Sequence, residues 1–167
     1  PHRHFLNGGC YVVPFRAPRA VWESWRRGLY REAWEPGAFK GMRVRLGSYG
    51  DPAAVPAEVW QEMLKYADAS TGYTHQAHRR EFQQELLTHL MVSADTPAAA
   101  LKAHAEGLRT FRVKAQGDPL LPGEILCATE TDPYADCSRC LLCSGARQGG
   151  PLGGDKRPRP KGPAGAG

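Results

Sequence analysis

"LMVSADTPAAALKAHAEGLRTFRV" (residues 90–113) packs a strand, a helix and a second strand into one short unit. "LMVSA" (90–94) is a continuous apolar run, as a strand buried on both faces requires. "DTPAAALKAHAEG" (95–107) reads as a helix, with Asp95 or Thr96 as cap, Pro97 in the first turn and Gly107 as stop. "RTFRV" (109–113) then returns as a strand. Strand, helix, strand with such short links is the unit of a parallel sheet.

Upstream the same alternation repeats. "RVRLGS" (43–48) alternates basic and apolar residues like a strand and ends in the turn signal Ser48-Tyr49-Gly50-Asp51-Pro52. "PAEVWQEMLKYAD" (56–68) predicts a helix with Val59, Trp60, Met63, Leu64 and Ala67 as its buried stripe. "TGYTH" (71–75) is a short strand, and "RREFQQELLTHL" (79–90) predicts a helix with Phe82, Leu86, Leu87 and Leu90 on one side. At the start, "APRAVWESWRRGLYR" (17–31) places Val21, Trp22, Trp25 and Leu29 on one helical face. "EILC" (124–127) reads as a fifth strand. The expected fold is therefore α/β, with short βα repeats forming a partial (βα) barrel or a small parallel sheet. Residues 1–146 form one domain that carries a cysteine-rich segment at 123–145.

The 167 residues are 41% hydrophobic, enough for one domain with a real core. No apolar run reaches the roughly 18 residues of a membrane span, and the start, "PHRHFLNGG", lacks a signal-peptide pattern. The expected location is cytoplasmic, away from membranes. The net charge of +5 is concentrated in residues 147–167, which hold five basic side chains against Asp155. Residues 1–146 carry 17 basic and 16 acidic side chains, so the domain is almost neutral. The tail is rich in glycine and proline and is expected to be disordered. Weak attraction to phosphates and a merely solubilising terminus are both open readings of it.

Sites in parallel α/β folds form at the C-terminal ends of the strands. Those ends would bring Ser48, Tyr49, Asp51, His75, Gln76, Ser93, Asp95, Arg112 and Lys114 to one rim. Tyr49, Asp51, His75 and Asp95 are the candidates for chemistry; Ser48, Gln76, Ser93, Arg112 and Lys114 are the candidates for binding a ligand. Each also has a plainer reading: Asp95 as a helix cap, Asp51 as a turn former, Tyr49 as cover for the sheet edge. His75 is either a structural histidine or a base, ligand or donor near neutral pH.

The remaining signal is "GEILCATETDPYADCSRCLLCSG" (123–145), which holds four of the five cysteines. Cys137, Cys140 and Cys143 stand at C-x-x-C-x-x-C spacing, with Cys127 upstream and Cys10 far away in sequence. An odd count without a secretory signal disfavours a disulfide framework. Thiolates this close in sequence repel unless something positive lies between them. The spacing suits a [4Fe–4S] cluster, with Cys127 or Cys10 as fourth ligand. Zinc and redox or structural thiols are the alternatives.

Taken with these motifs, "GGCYVVPFRAPRAVWESWRRGLY", "VRLGSYGDPAAVPAEVW", "GYTHQ", "VSADTPAAALKAHAEGLRTFRV" and "CSRCLLCSG" make residues 8–147 similar to a family of uncharacterised bacteriophage, plasmid and bacterial proteins related to the phage "gene product 88" group. In that family, the cysteine matching Cys10 follows further cysteines, and the resulting set resembles that of radical S-adenosylmethionine enzymes. The resemblance implies an N-terminal metal site near the mouth of a barrel and a C-terminal one at Cys127, Cys137, Cys140 and Cys143. The upstream cysteines are not in this sequence, which starts at Pro1, so a fragment or a form without that activity is expected.

Two functions follow. One is a cysteine-ligated iron–sulfur protein with a strand-end pocket for a small molecule or nucleic acid. The other is a zinc-knuckle nucleic-acid-binding module using the arginines and tryptophans of 16–31, although those tryptophans also fill an ordinary apolar stripe.

Overall fold

The computed structural model describes residues 15–30, 35–115 and 117–145. Cys10 and the 147–167 tail lie outside them. The elements run α1 (Ala17–Arg26), β1 (Arg43–Leu46), α2 (Ala57–Leu64), β2 (Ala69–Thr74), β3 (Met91–Ala94), α3 (Pro97–Ala105), β4 (Thr110–Arg112), α4 (Ala128–Thr131) and α5 (Cys137–Cys140). Tight 3-10 turns at Pro36–Phe39, Pro52–Ala54 and Gln84–Thr88 link them. The fold is α/β. All strand pairs are parallel and the strands lie in the order β1-β2-β3-β4. Among the described residues no helix is long and apolar enough to cross a membrane.

Alternation along the strands separates the two faces of the sheet. Leu46, Gly72, Thr74 and Ala94 face the helices, and Leu46, Leu86 and Leu90 are almost wholly buried there with Met63, Phe82 and Ala57. Ala100 and Ala103 press α3 onto β3 and β4. Gly72 is required at its position: a Cβ would stand 2.5 Å from Leu90 Cδ2 and 3.1 Å from Leu46 Cβ. Full burial of a leucine of this kind contributes roughly 1.5–3 kcal/mol.

The opposite face carries Arg43, Arg45, Tyr73, Met91, Ser93 and Phe111. The alternation of "RVRL" has its cause here, because Arg45 lies over the Tyr73 ring at 5.5 Å while Leu46 enters the core. Tyr73 and Phe111 meet across β3 at 4.6 Å.

Three expectations are corrected. Residues 79–90 form no α-helix; Phe82, Leu86 and Leu90 are buried as the spacing required, but through tight turns and the 3-10 segment. Gln83 Oε1 accepts the Ala57 N–H at 2.5 Å and ties this stretch to the start of α2. Residues 124–127 form no strand. Glu124 is held by Arg112, Gly123 has φ +81, and Cys127 already caps α4, so Ile125 and Leu126 have no ladder to join and stay exposed. Third, α1 buries none of its residues.

The Arg112–Glu124 pair is forked, with Nε to Oε1 at 2.7 Å and Nη2 to Oε2 at 2.6 Å, and both side chains are largely buried. Arg112 also donates to the Pro119 carbonyl, and Glu124 accepts the Leu121 N–H. The Arg112 hydrogen bonds bring the Glu124 carboxyl down to about 2. A carboxyl depressed in the folded state stabilises above its unfolded value, near 4.5, and loses that contribution as pH falls toward 2. The wild-type urea midpoint is therefore expected to fall across this window, with about one extra proton taken up on unfolding. In Glu124→Gln this part of the slope disappears; an unchanged pH profile would contradict the assignment.

Candidate metal centre and strand-end rim

The cysteine-rich segment is built from local signals. Asp136 caps α5, accepting the N–H groups of Ser138 at 2.8 Å and Arg139 at 3.1 Å. Cys137 and Cys140 thus begin and end one helical turn, a spacing that puts them on the same side. Leu141 then takes φ +53, the one positive value on a non-glycine among the described residues, and turns the chain toward Cys143. Such a conformation is strained for leucine and needs support from its surroundings.

That support comes from the sheet. Arg109, just before β4, donates to the carbonyls of Ser144 at 2.5 Å, Gly145 at 3.2 Å and Leu142 at 2.6 Å. Arg43, the first residue of β1, donates to the Ser138 carbonyl at 2.6 Å. The Gly72 N–H reaches the Cys143 carbonyl at 3.3 Å, on the side of β2 where β3 has not yet begun. Gly145 rests directly on the His89–Leu90 backbone. The segment is pinned from the N-terminal ends of the strands, beside the face that carries Arg45 and Tyr73. None of these anchors has a local signature in the sequence.

Cys143 is the centre of the group. Burial pushes its thiol up; the hydrogen bond with Tyr73 pulls part of the way back, and the thiols of Cys127, Cys137 and Cys140 raise it again. The Tyr73 hydroxyl is itself pushed up, by burial first and then by Cys143. Cys127, Cys137 and Cys140 are thus near enough to Cys143 to act on it, and all four are free thiols. Cys127 sits with them and not at the rim of strand ends. Among the described residues no three His, Cys, Asp or Glu side chains are disposed to hold a metal ion as they stand. The four sulfurs would have to draw inward to share one. As a donor set they suit a thiophilic centre: four soft ligands, three on one short, anchored loop and Cys127 at the start of α4.

At the other end of the strands, part of the expected rim is assembled. Asp51 Oδ1 accepts the Ala53 N–H at 3.0 Å and the Thr74 hydroxyl at 2.8 Å, while Oδ2 accepts the His75 N–H at 2.8 Å. His75 Nε2 stands 3.5 Å from Asp95 Oδ1. Two carboxylates and an imidazole thus join the ends of β1, β2 and β3. Thr96, not Asp95, caps α3, accepting the Ala99 N–H at 3.1 Å. The Gln76 N–H bonds Thr74 Oγ1 at 3.0 Å. Ser48, Tyr49 and Asp51 line an open cleft of about 380 Å³ together with Arg45 and Trp60.

The other rim candidates go elsewhere. Arg112 belongs to the helix-packed side and is engaged by Glu124. Lys114 donates to the Asp118 carbonyl at 2.7 Å. Ser93 lies on the Tyr73–Phe111 face.

Comparison of the chain with protein-family models, with curated proteins and with solved structures finds no match.

Proposed function

We propose that this chain is a cysteine-ligated metal protein in which Cys127, Cys137, Cys140 and Cys143 hold a [4Fe–4S] cluster beside the open face of a partial (βα) barrel. The observation that carries the reading is that the free thiols of Cys127, Cys137 and Cys140 act on that of Cys143, the last three cysteines lying on a loop tied to β1, to β2 and to Arg109 before β4. C-x-x-C-x-x-C spacing with a fourth cysteine supports a cluster over a hard cation. The strained Leu141 supports a loop shaped for a ligand more than for packing.

The barrel reading is supported by the strand order. Each strand adds on the same side of the one before it, as in a barrel segment, whereas a doubly wound sheet reverses direction. The resemblance to the phage group supports an origin on a mobile element and a relation to radical-type enzymes.

When bound, such a cluster supplies one-electron chemistry. The chain's own residues do the rest. Arg109 and Arg43 hold the loop in register. Tyr73 contacts one ligand sulfur and shields it from water. Cys143, whose thiol burial pushes up, would hold such a group as a thiolate and would have to give up its proton to do so. Asp51 lines the open cleft at the strand ends and holds the His75 backbone, and His75 in turn meets Asp95, which would give a small molecule a polar rim beside the cleft.

Substitution of a ligand tests the assignment. Cys140→Ser is expected to lose most bound metal after anaerobic reconstitution and to melt several degrees lower, since binding free energy is folding free energy in such a loop. Metal analysis and thermal melts of the two proteins decide it. Unchanged metal content with an unchanged melting temperature would remove Cys140 from the site.

A further inference from the structure

Tyr73 and Thr129 bring hydroxyls to the sulfurs of the cysteine group. Thr129 Oγ1 stands 3.1 Å from Cys127 Sγ, and the Tyr73 hydroxyl is hydrogen-bonded to the Cys143 thiol. The two differ in setting. Thr129 is exposed, so water competes for its hydrogen bond. Tyr73 is half-buried on the open face of the sheet, and its ring meets Phe111 at 4.6 Å and the Arg45 guanidinium at 5.5 Å. The N–H of the preceding residue, Gly72, holds the Cys143 carbonyl at 3.3 Å. Ring and cysteine are thus fixed to one stretch of β2. Packing alone would be served by a phenylalanine, as it is at Phe111; the hydroxyl is the part that packing leaves unexplained.

We propose that Tyr73 sets the reduction potential of the metal centre, its hydroxyl donating to the Cys143 sulfur, with Thr129 making a smaller contribution of the same sign at Cys127. The proposal rests on the cluster assignment above and deepens it. A ligating cysteine is a thiolate and has no proton to give, so in the loaded protein the hydroxyl is the donor. Donation offsets negative charge on the sulfur. Uptake of one electron adds a negative charge to the centre while no bond is made or broken, so the hydrogen bond is stronger in the reduced form. A donor of this kind therefore raises the potential. Away from water the same bond counts for more, which places Tyr73 ahead of Thr129. Tyr73 acts through Cys143 and is a positioning residue.

The test is a redox titration of the full chain after anaerobic reconstitution with iron and sulfide, with dithionite as the electron donor and absorbance as the readout, beside iron analysis of each protein. Tyr73→Phe keeps the ring and removes only the hydroxyl. It is expected to load as much iron as the parent and to be reduced at a lower potential, by about 59 mV for a tenfold change in the one-electron equilibrium. Thr129→Val is expected to shift the potential in the same direction by less. Equal potentials in Tyr73→Phe and the parent, with iron bound in both, would overturn the proposal and leave the cluster reading standing. A shift to higher potential would also overturn it, as would a larger shift in Thr129→Val than in Tyr73→Phe. Loss of iron in Tyr73→Phe would overturn it as well, because the hydroxyl would then seat the ligand and not tune it. A parent that binds no iron would overturn the cluster reading and this proposal together.

Discussion

Gly145→Ala is expected to unseat the cysteine-rich loop and destabilise the protein by about 3 kcal/mol. A Cβ at this position would stand no more than 2.5 Å from the Leu90 nitrogen and from both the nitrogen and the carbonyl carbon of His89. All three are backbone atoms of the stretch entering β3, so no side chain can rotate away. The loop must withdraw instead. Withdrawal removes the three carbonyls that Arg109 grips and the Gly72 bond to Cys143. Overpacking alone costs about 1–3 kcal/mol, and each broken hydrogen bond adds on the order of 1 kcal/mol. Because the same contacts seat Cys143, metal content should fall together with stability. Gly37→Ala is the control, since a Cβ there meets nothing within 4 Å. Urea melts and metal analysis of the two variants provide the check, and parent-like values for Gly145→Ala would contradict the docking described above.

Leu86→Ala is the second large effect, and it separates fold from site. Leu86 is 1% exposed and packs with Leu46, Phe82, Leu90 and Met63 on the helix side of the sheet. Truncating a leucine at such a position costs about 2–5 kcal/mol through reduced burial and the cavity left behind. Against a total of roughly 5–15 kcal/mol for an ordinary domain, that brings the protein close to unfolding. The thiols lie toward the other face of the sheet, so the folded fraction should keep its metal content. A destabilisation under about 1 kcal/mol in urea melts would mean that the site can collapse around the gap.

Legibility in the sequence differs from element to element. The unit at 90–113 is readable because every signal agrees: an apolar run, a cap, a first-turn proline, a stop glycine. The structure settles which residue caps, and that choice leaves Asp95 to meet His75. Asp51 reads as a turn former and is one, and its second oxygen also holds the end of β2, a long-range contact the turn signal does not announce. The pattern at 79–90 identifies what is buried but not the backbone form, because burial spacing near four residues is met by tight turns as well as by a helix. "EILC" misleads because two apolar residues beside a cysteine look like strand when the long-range partner of Glu124 is unseen. Arg112 falls among the expected rim residues for the same reason. The anchors of the cysteine loop are long-range contacts between arginines and carbonyls, which leave no local trace. The exposed tryptophans of α1 carry the periodicity of a core stripe without the core.

Anaerobic purification followed by metal analysis and an absorption spectrum decides whether the four thiols hold a cluster. The expected result is a brown protein with about four irons per chain, bleached by dithionite and colourless in Cys140→Ser. A colourless protein with all its thiols titratable and no bound metal would contradict the metal centre.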